Sequence, residues 1–176
     1  MVIPGQVQHL NMTVGWNPFS IYLQPKNPSV SKYIENKPYR SIFSPKGEDW
    51  GFNMNDTGLE NITTLEPGRG YLLDSQENFS IQIPGKPVDL PYKMKLNKGW
   101  NLIGIPMNRS LNTSNISIDA ERRKYSYPEA VKKGIVSAFL WSYDGRKWNY
   151  LEENSTLEPG KAYLLEAMTE ARMEFK

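Results

Sequence analysis

The chain has 176 residues, of which 39% are hydrophobic and 12% aromatic, and this is enough apolar material for a packed core and excludes a disordered chain. Its 21 Lys and Arg residues against 19 Asp and Glu residues leave a formal charge of +2, without the basic excess of nucleic-acid-binding proteins. Cysteine is absent, which excludes disulfides, thiolate metal sites and a cysteine nucleophile.

The first predicted element is a strand that follows the sequence Gly-Trp-Asn at residues 15–17. Apolar residues then alternate along the chain at Phe19, Ile21 and Leu23, the period-two pattern of a strand with one face in a core. Trp16 falls on the opposite face, and we expect that face to be covered at this end as well. Gly15 is expected to let a neighbouring backbone or an indole ring approach closely.

A turn and a strand are predicted in the sequence TTLEPGRGYLLD, residues Thr63–Asp74. Pro67 fixes φ at the second turn position and Gly68 supplies the positive φ of the third, so the pair predicts a type II turn. The apolar residues Tyr71–Leu73 are then a strand that leaves the turn. A looser connection between two strands is expected upstream, at residues 45–47.

Residues Ile83–Lys93 contain three prolines and a glycine, and we predict the boundary between two subdomains there. The subdomains are residues 1–87 and 88–176. Further strands are expected at Phe79–Ile83, Tyr92–Leu96 and Arg172–Phe175.

The second subdomain is predicted to contain one short helix and one hairpin. The sequence SYPEAVKKG has Ser126 near the N-cap, Pro128 in the first turn and Gly134 as the terminator of a helix. The sequence FLWSYDGRKWNYL (Phe139–Leu151) predicts a hairpin, because Asp-Gly between two such runs favours a type I′ turn. That turn places positive φ angles at both residues 144 and 145.

Three landmarks occur twice in the same order, which indicates an internal repeat of roughly 80 residues. Val14–Leu23 aligns with Lys98–Met107 at an offset of 84 residues, Ile42–Trp50 with Leu140–Trp148 at 98, and Thr63–Asp74 with Ser155–Glu166 at 92. The second copy of the turn contains Pro159 and Gly160, and we interpret both turns as scaffold. The fold class that follows is all-β, with two tandem homologous β-sandwich or barrel-like subdomains, one short helix in the second, and a pseudo-twofold between them.

The landmarks resemble a repeat of large surface proteins of methanogenic archaea and some bacteria. Its usual form begins Gly-Trp-Asn-Leu-Ile, continues with a Trp-x-Tyr-Asp hairpin and ends Leu-Glu-Pro-Gly-Lys-Gly-Tyr-Trp. The second copy is similar at residues 99–103, 141–144 and 157–163, whereas the first is more divergent and has Pro18 where leucine is usual. The resemblance implies an extracellular β-rich module of a cell-surface (S-layer-type) or secreted protein and carries no activity over to this chain.

The sequon Asn-x-Ser/Thr occurs eight times, at Asn11, Asn55, Asn61, Asn78, Asn108, Asn112, Asn115 and Asn154. The content of 15 Asn and 21 Ser and Thr residues predicts roughly two such triplets by chance. One interpretation is that these residues cluster in turns, where their side chains bond to nearby backbone. The other is an N-glycosylated exterior.

The candidate ligand-binding residues are the rings that flank the predicted hairpin: Trp141, Tyr143, Trp148 and Tyr150. If residues 144 and 145 form the turn, all four rings can share one sheet face. Cross-strand aromatic pairs stabilise a sheet, so one interpretation places these rings in the core. Aromatic faces also stack on sugars, so the alternatives are a carbohydrate-binding surface and a contact with a protein partner. An exposed aromatic strip would favour sugar binding, and buried rings would favour a structural module.

The remaining polar residues do not form a catalytic pattern. His9 is the single histidine, and we expect it to be solvated. The carboxylate pairs 48–49 and 152–153 lie beside predicted turns, and adjacent residues on a strand point to opposite faces, so neither forms the facing pair of a glycosidase. The basic run Arg122–Lys124 is expected to be a solvated loop.

Calcium is considered because several oxygen donors fall in predicted loops: Asn53, Asn55, Asp56 and Asp144. They lack the Asp-x-Asp-x-Asp-Gly pattern of a calcium loop. We therefore predict no catalytic residue, no cofactor and no metal.

The expected function is that of a non-enzymatic structural or adhesive module of a cell-surface or secreted protein, as a segment of a longer precursor. The alternative is a carbohydrate-binding module that uses the Trp141–Tyr150 hairpin. The expected partner is a cell-surface protein or glycan, with no nucleic acid. No direct membrane insertion is expected, because no stretch approaches the roughly 20 apolar residues of a membrane-spanning helix.

Overall fold

The computed structural model describes residues 5–58, 60–152 and 154–176, and it confirms an all-β fold of antiparallel strands. In the first half, defined here as residues 5–87, the strands are β1 (Gln6–Met12), β2 (Gly15–Ser20), β3 (Leu23–Pro25), β4 (Tyr39–Gly47), β5 (Asp49–Met54), β6 (Gly70–Ser75) and β7 (Phe79–Pro87). In the second half, residues 88–176, they are β8 (Tyr92–Leu96), β9 (Gly99–Ile103), β10 (Leu111–Asn112), β11 (Ser117–Ala120), β12 (Arg123–Ser126), β13 (Val136–Tyr143), β14 (Trp148–Leu151), β15 (Thr156–Leu157), β16 (Tyr163–Ala167) and β17 (Ala171–Phe175).

The two halves pair their strands in the same way. In the first half β2 pairs with β6, β6 with β4, β4 with β5, and β1 with β7. The second half repeats this as β9 with β16, β16 with β13, β13 with β14, and β8 with β17. The registers agree as well, since Trp16 lies opposite Asp74 and its equivalent Trp100 lies opposite Glu166. Equivalent sequence positions therefore make equivalent strand pairs.

One eight-stranded sheet runs through both halves, in the order β14-β13-β16-β9-β4-β6-β2, with β5 also paired to β4. We call it the shared sheet. The halves join where Lys46 and Gly47 of β4 lie opposite Asn101 and Trp100 of β9. Each half also has a second sheet, β1-β7-β3 in the first and β12-β11-β17-β8 in the second, and β10 pairs with β15.

Each half has its own hydrophobic core between the shared sheet and its second sheet. Leu73 of β6 and Ile81 of β7 belong to the first core, and Leu165 of β16 and Met173 of β17 belong to the second. These four side chains are at most 3% exposed, and burying one such side chain contributes about 1.5–3 kcal/mol. Each half is thus a small β-sandwich. The subdomain boundary between residues 87 and 88 stays a prediction.

The asparagine of each Gly-Trp-Asn sequence closes the turn that precedes its strand. Asn17 Nδ2 donates to the carbonyl groups of Thr13 and Gly15, both at 2.7 Å, and its Oδ1 accepts from Thr13 N at 2.9 Å. Asn101 makes the same three bonds with Asn97 and Gly99, at 2.8 to 3.1 Å. The motif is therefore a side-chain-closed turn that leads one sheet into the other.

The Leu-Glu-Pro-Gly sequences form the predicted turns. Gly68 has φ = 73° and Gly160 has φ = 80°, as the third position of a type II turn requires. The tyrosine that follows folds back on each turn: Tyr71 Oη accepts from Glu66 N and Tyr163 Oη accepts from Glu158 N, both at 2.8 Å. The repeated sequence thus joins a turn to a core strand through a buried ring.

Each of these turns binds the other half. Gly104 N donates to the carbonyl of Gly68 at 2.7 Å, and the equivalent Ser20 N donates to the carbonyl of Gly160 at 2.9 Å. Such a reciprocal exchange is what an approximate twofold axis between the halves produces. β2 ends at Ser20 and β9 at Ile103, earlier than the apolar alternation suggests. The alternating residues beyond, Ile21 and Ile105, are still buried.

The predicted helix is present as α2 (Tyr127–Lys132), capped by Ser126, whose side chain accepts from Glu129 N while the Glu129 carboxylate accepts from Ser126 N. The first half contains a short helix that was not predicted, α1 (Ser31–Ile34), which buries Tyr33 and Ile34. A single turn of this length has too few residues to give a helical period. Within the described residues, no helix is long and apolar enough to cross a bilayer.

Two expectations about the Gly-Trp-Asn sequences are wrong in part. Gly99 does admit a neighbour, since a Cβ there would lie 2.9 Å from the Gly47 carbonyl carbon, but Gly15 has no atom that close and needs glycine only for its φ of 94°. Trp16 is 41% exposed and Trp100 is 37% exposed, so the face that they occupy is not covered.

Candidate binding surface

The four candidate rings lie on one face of the shared sheet. Trp141 of β13 is directly opposite Tyr150 of β14, and Tyr143 is opposite Trp148. The ring centroids of these pairs are 6.2 Å and 5.4 Å apart, within the range of favourable aromatic contacts. Leu140, which alternates with them, points the other way into the core. The prediction of a common face is therefore correct.

The interpretation of these rings as core residues is wrong. Tyr150 is 47% exposed, and Trp141, Tyr143 and Trp148 are half-buried. Phe139 was not predicted as part of the site, but it is 52% exposed and its ring lies 5.5 Å from Tyr150 and 6.1 Å from Trp141. Its spacing of two residues from Trp141 was the signal that could have found it.

The hairpin turn is displaced by one residue from its predicted position. Asp144 N donates to the carbonyl of Lys147 at 3.1 Å, so Gly145 and Arg146 are the central residues. Only Gly145 has a positive φ, 94°, which is the pattern of a type II′ turn rather than type I′. In the first half the connection is as tight as this one, because Lys46 pairs with Asp49 and leaves Gly47 and Glu48 as the turn.

Asp144 holds this turn through its side chain. Its carboxylate accepts from Lys147 N and Arg146 N, both at 2.9 Å, and from Asn149 Nδ2 at 2.7 Å. These bonds, the one from Lys147 N above all, lower the pKa of Asp144 to about 2. Hydrogen bonds to the charged form are the physical cause, and the carboxylate is thus committed to the turn.

The first half carries a second group of rings on the same face. Trp16 of β2, Phe43 of β4 and Trp50 of β5 follow one another, with centroid distances of 6.0 Å and 6.4 Å. Phe43 and Trp50 are the repeat equivalents of Trp141 and Trp148. These residues were not predicted as a site, although the repeat offset of 98 residues aligns two of them with the candidate rings of the second half. Trp50 is 53% exposed.

We call this surface the outer face: the side of the shared sheet opposite the two cores. The second sheet of the second half differs in character, since its solvent side carries ion pairs. Glu174 of β17 binds Lys124 at 2.7 Å and Lys93 at 3.2 Å. Exposed apolar side chains are therefore concentrated on the outer face, and both halves contribute them.

None of the eight sequon asparagines is in a strand of the shared sheet. Seven are exposed, and Asn112 is half-buried. The Nδ2 groups of Asn55, Asn61 and Asn112 donate to backbone carbonyls. Asn11, Asn108, Asn115 and Asn154 have no side-chain hydrogen bond to the part of the chain that the structure describes.

The other residues considered for chemistry are dispersed. His9 is exposed on β1, Glu48 is exposed in the β4–β5 turn, Asp49 is exposed at the start of β5, and Glu152 is exposed, while Glu153 lies outside the described residues. Asn53 binds Tyr39 Oη and Glu60, and Asp144 belongs to a different hairpin from Asn55 and Asp56. Among the described residues, no three His, Asp or Glu side chains are placed to hold a metal.

The basic run is not a loop as predicted. Arg123 and Lys124 belong to β12, and Lys124 binds Glu174. Arg122 forms a two-residue turn with Glu121, because Ala120 pairs directly with Arg123.

No protein-family model, no curated protein and no solved structure matches this chain.

Proposed function

We propose that this chain is a non-enzymatic adhesive module of a cell-surface or secreted protein, with the outer face of the shared sheet as its adhesive surface. The observation that supports this is that partly exposed aromatic rings from both halves lie on one face of the shared sheet. Contiguous exposed apolar surface is rare on soluble proteins unless it binds something, and Trp and Tyr are enriched where binding energy is concentrated.

The adhesive proposal predicts that binding needs rings from both halves. The fluorescently labelled chain would be applied to washed cells of the source organism, beside the single variants Trp50→Ala and Trp148→Ala. Loss of cell binding in each variant, with unchanged thermal unfolding curves, supports the proposal. Cell binding by either variant that equals that of the unchanged chain contradicts it.

The exterior location is supported by the exposure of seven sequon asparagines and by the resemblance to surface repeats. Mass spectrometry of the protein from its native source tests it. We expect sugars first at Asn11, Asn108, Asn115 and Asn154, whose amides are not engaged in the fold. Unmodified asparagine at all eight sequons would argue against an exterior protein.

A second candidate function, carbohydrate binding through the Trp141–Tyr150 hairpin, is favoured by the exposure of its rings. A glycan array probed with the recombinant chain tests it. Trp148→Ala should remove binding, and Trp50→Ala, at the equivalent position in the other half, is the matched control. Equal binding by both variants would exclude the hairpin as the sugar site.

A further inference from the structure

The seam, defined here as the region where the two halves meet, is closed by strand pairing on one side and open on the other, although the approximate twofold relates the two sides. On the closed side β4 pairs with β9, and a Cβ on Gly47 would lie 2.6 Å from Asn97 Cβ. The equivalent elements on the open side are the tip of the second hairpin and β2. There a Cβ on Gly145 or on Gly15 would meet no atom within 4 Å beyond its own chain neighbours.

A cleft of about 480 Å³ occupies the open side. It is lined by β1, by β2, by the hairpin tip and by the second turn. Trp16 and Tyr143 line it from opposite halves, beside Phe19 and Tyr22, and the Trp16 ring centroid lies 6.0 Å from that of Phe43.

Two differences between the repeats explain the cleft. Arg69 fills the closed side and is 6% exposed, whereas its equivalent Lys161 is exposed.

The second difference is Pro18, which replaces Leu102. β6 pairs along one edge of β2, and proline has no N–H to donate to a strand on the other. The departure from the usual Gly-Trp-Asn-Leu sequence therefore prevents the β2–β13 pairing that would close the seam.

We propose that this cleft binds a neutral saccharide between Trp16 and Tyr143. Its lining contains no carboxylate to pair with a cationic ligand, and of its two basic residues, His9 and Lys161, the Lys161 ammonium group lies 2.7 Å from a carboxylate oxygen of Glu158. The exposed amide of Asn108 provides a donor and an acceptor for hydroxyl groups. Flat rings together with amides match a sugar, which has apolar ring faces and hydroxyl edges.

This inference rests on the carbohydrate-binding candidate function and adds a second sugar site, the cleft, to the one on the hairpin. Tyr143 belongs to both, so the cleft continues the hairpin surface toward the first half. The saccharide has two possible sources: a free glycan, or an N-linked sugar on Asn11 or Asn108 of this chain, since both residues line the cleft.

The experiment uses the unglycosylated recombinant chain and soluble neutral oligosaccharides chosen by glycan array. The five tryptophans give separate indole N–H signals in a heteronuclear NMR spectrum, assigned with single Trp→Phe variants. Titration should shift the Trp16 signal and leave Trp100, its repeat equivalent outside the cleft, unchanged. Shifts at Trp141 and Trp148 alone would place the sugar on the hairpin and overturn the cleft.

A pair of variants makes the same distinction by affinity. Trp16→Ala should weaken binding about tenfold, which corresponds to roughly 1.4 kcal/mol, whereas Trp100→Ala should not weaken it. Equal affinity in both variants, or no saccharide bound by the wild-type chain, overturns the inference. If Trp148→Ala loses binding and Trp16→Ala does not, the sugar binds at the hairpin and not in the cleft.

The source of the sugar is then decided with the glycosylated protein. If it binds added oligosaccharide only after Asn11→Gln and Asn108→Gln, the cleft holds the chain's own glycan. If it binds without these changes, the ligand is a free saccharide. Both outcomes support a sugar-binding cleft, and failure to bind in both forms contradicts it.

Discussion

Ser20 and Gly104 hold equivalent positions in the two halves and lie against each other, so that a Cβ atom on Gly104 would overlap the Ser20 side chain. Ser20 Oγ also donates to the carbonyl of Lys161 at 2.7 Å. The approximate twofold brings these two positions together, and there is room for only one side chain between the halves. The repeat therefore has to be asymmetric at this point.

Gly104→Ala is expected to destabilise the protein by about 1–3 kcal/mol, because overpacking forces the halves apart. Ser20→Gly should be milder, since it removes one hydrogen bond, worth about 1 kcal/mol. Urea unfolding gives both free energies.

Combining the two changes should recover most of the loss caused by Gly104→Ala, because the overlapping atoms of Ser20 are then gone. Strictly additive effects in this double-mutant cycle would show that the two residues are not coupled.

Tyr71→Phe and Tyr163→Phe are each expected to destabilise the protein by about 1–2 kcal/mol, because each leaves the amide of a turn glutamate without its acceptor. Both hydroxyls accept at 2.8 Å, and both rings are buried. Chemical unfolding provides the measurement.

Tyr125→Phe is the matched control for these two variants, because the Tyr125 hydroxyl has no hydrogen bond to the described residues and the ring is half-buried. An equal loss in all three variants would mean that the turn hydrogen bonds contribute nothing.

The β11–β12 turn is strained, because Glu121 and Arg122 have φ angles of 51° and 62°. Left-handed backbone is unfavourable for side chains with a Cβ, and Asn-Gly is the preferred pair in a two-residue turn with two positive φ angles. Glu121→Asn with Arg122→Gly should therefore stabilise the protein by about 1 kcal/mol, which a thermal unfolding scan would detect.

Arg146→Gly is the control for this turn variant. Arg146 is also in a two-residue turn but has no positive φ, so glycine there should only add entropy to the unfolded chain and destabilise the protein. Stabilisation by both changes would mean that relief of backbone strain is not the cause.

Glu174 makes the folding stability depend on pH in the acid range. Its side chain is 3% exposed, and the hydrogen bond from Lys124, followed by that from Lys93, holds its pKa below the ordinary value of 4.5. The stabilisation is fully present above pH 4.5 and is lost as the pH falls through the lowered pKa of the folded state.

The unfolding free energy should thus fall less steeply below pH 4.5 in Glu174→Gln than in the wild type. Glu170→Gln is the control, since Glu170 pairs with Lys95 at 3.4 Å on an exposed surface, where ion pairs contribute little. Identical pH slopes in wild type and Glu174→Gln would contradict this role.

Local sequence was sufficient for the elements whose cause is local. The Ser126 cap, Pro128 in the first turn and the Gly134 terminator predicted α2, and Pro-Gly predicted both type II turns. The hairpin around Asp144 was predicted, but its turn was displaced by one residue, since the side-chain bonds of Asp144 compete with the φ preference of Asp-Gly. Helix α1 was missed because four residues have no period of their own.

The binding surface could be predicted only in part. Periodicity placed four aromatic residues on one face, but exposure depends on what packs over that face, and a residue pattern does not contain this. For the same reason Trp16 and Trp50, from the other half, were not connected with the hairpin. The pairing of β4 with β9 places them on one sheet, and this is a contact between residues about 50 positions apart in the chain.

By itself, the sequence determined that the chain is built of strands and that a strand-and-turn unit occurs twice, because alternation, Pro-Gly turns and recurring landmarks are encoded over a few neighbouring residues. Only the tertiary structure decided that the two units share a sheet, that their rings remain partly exposed, and that one side of the seam is open. These properties depend on which side chains meet across the halves: Arg69 fills one side, and Pro18 and Lys161 leave the other unfilled.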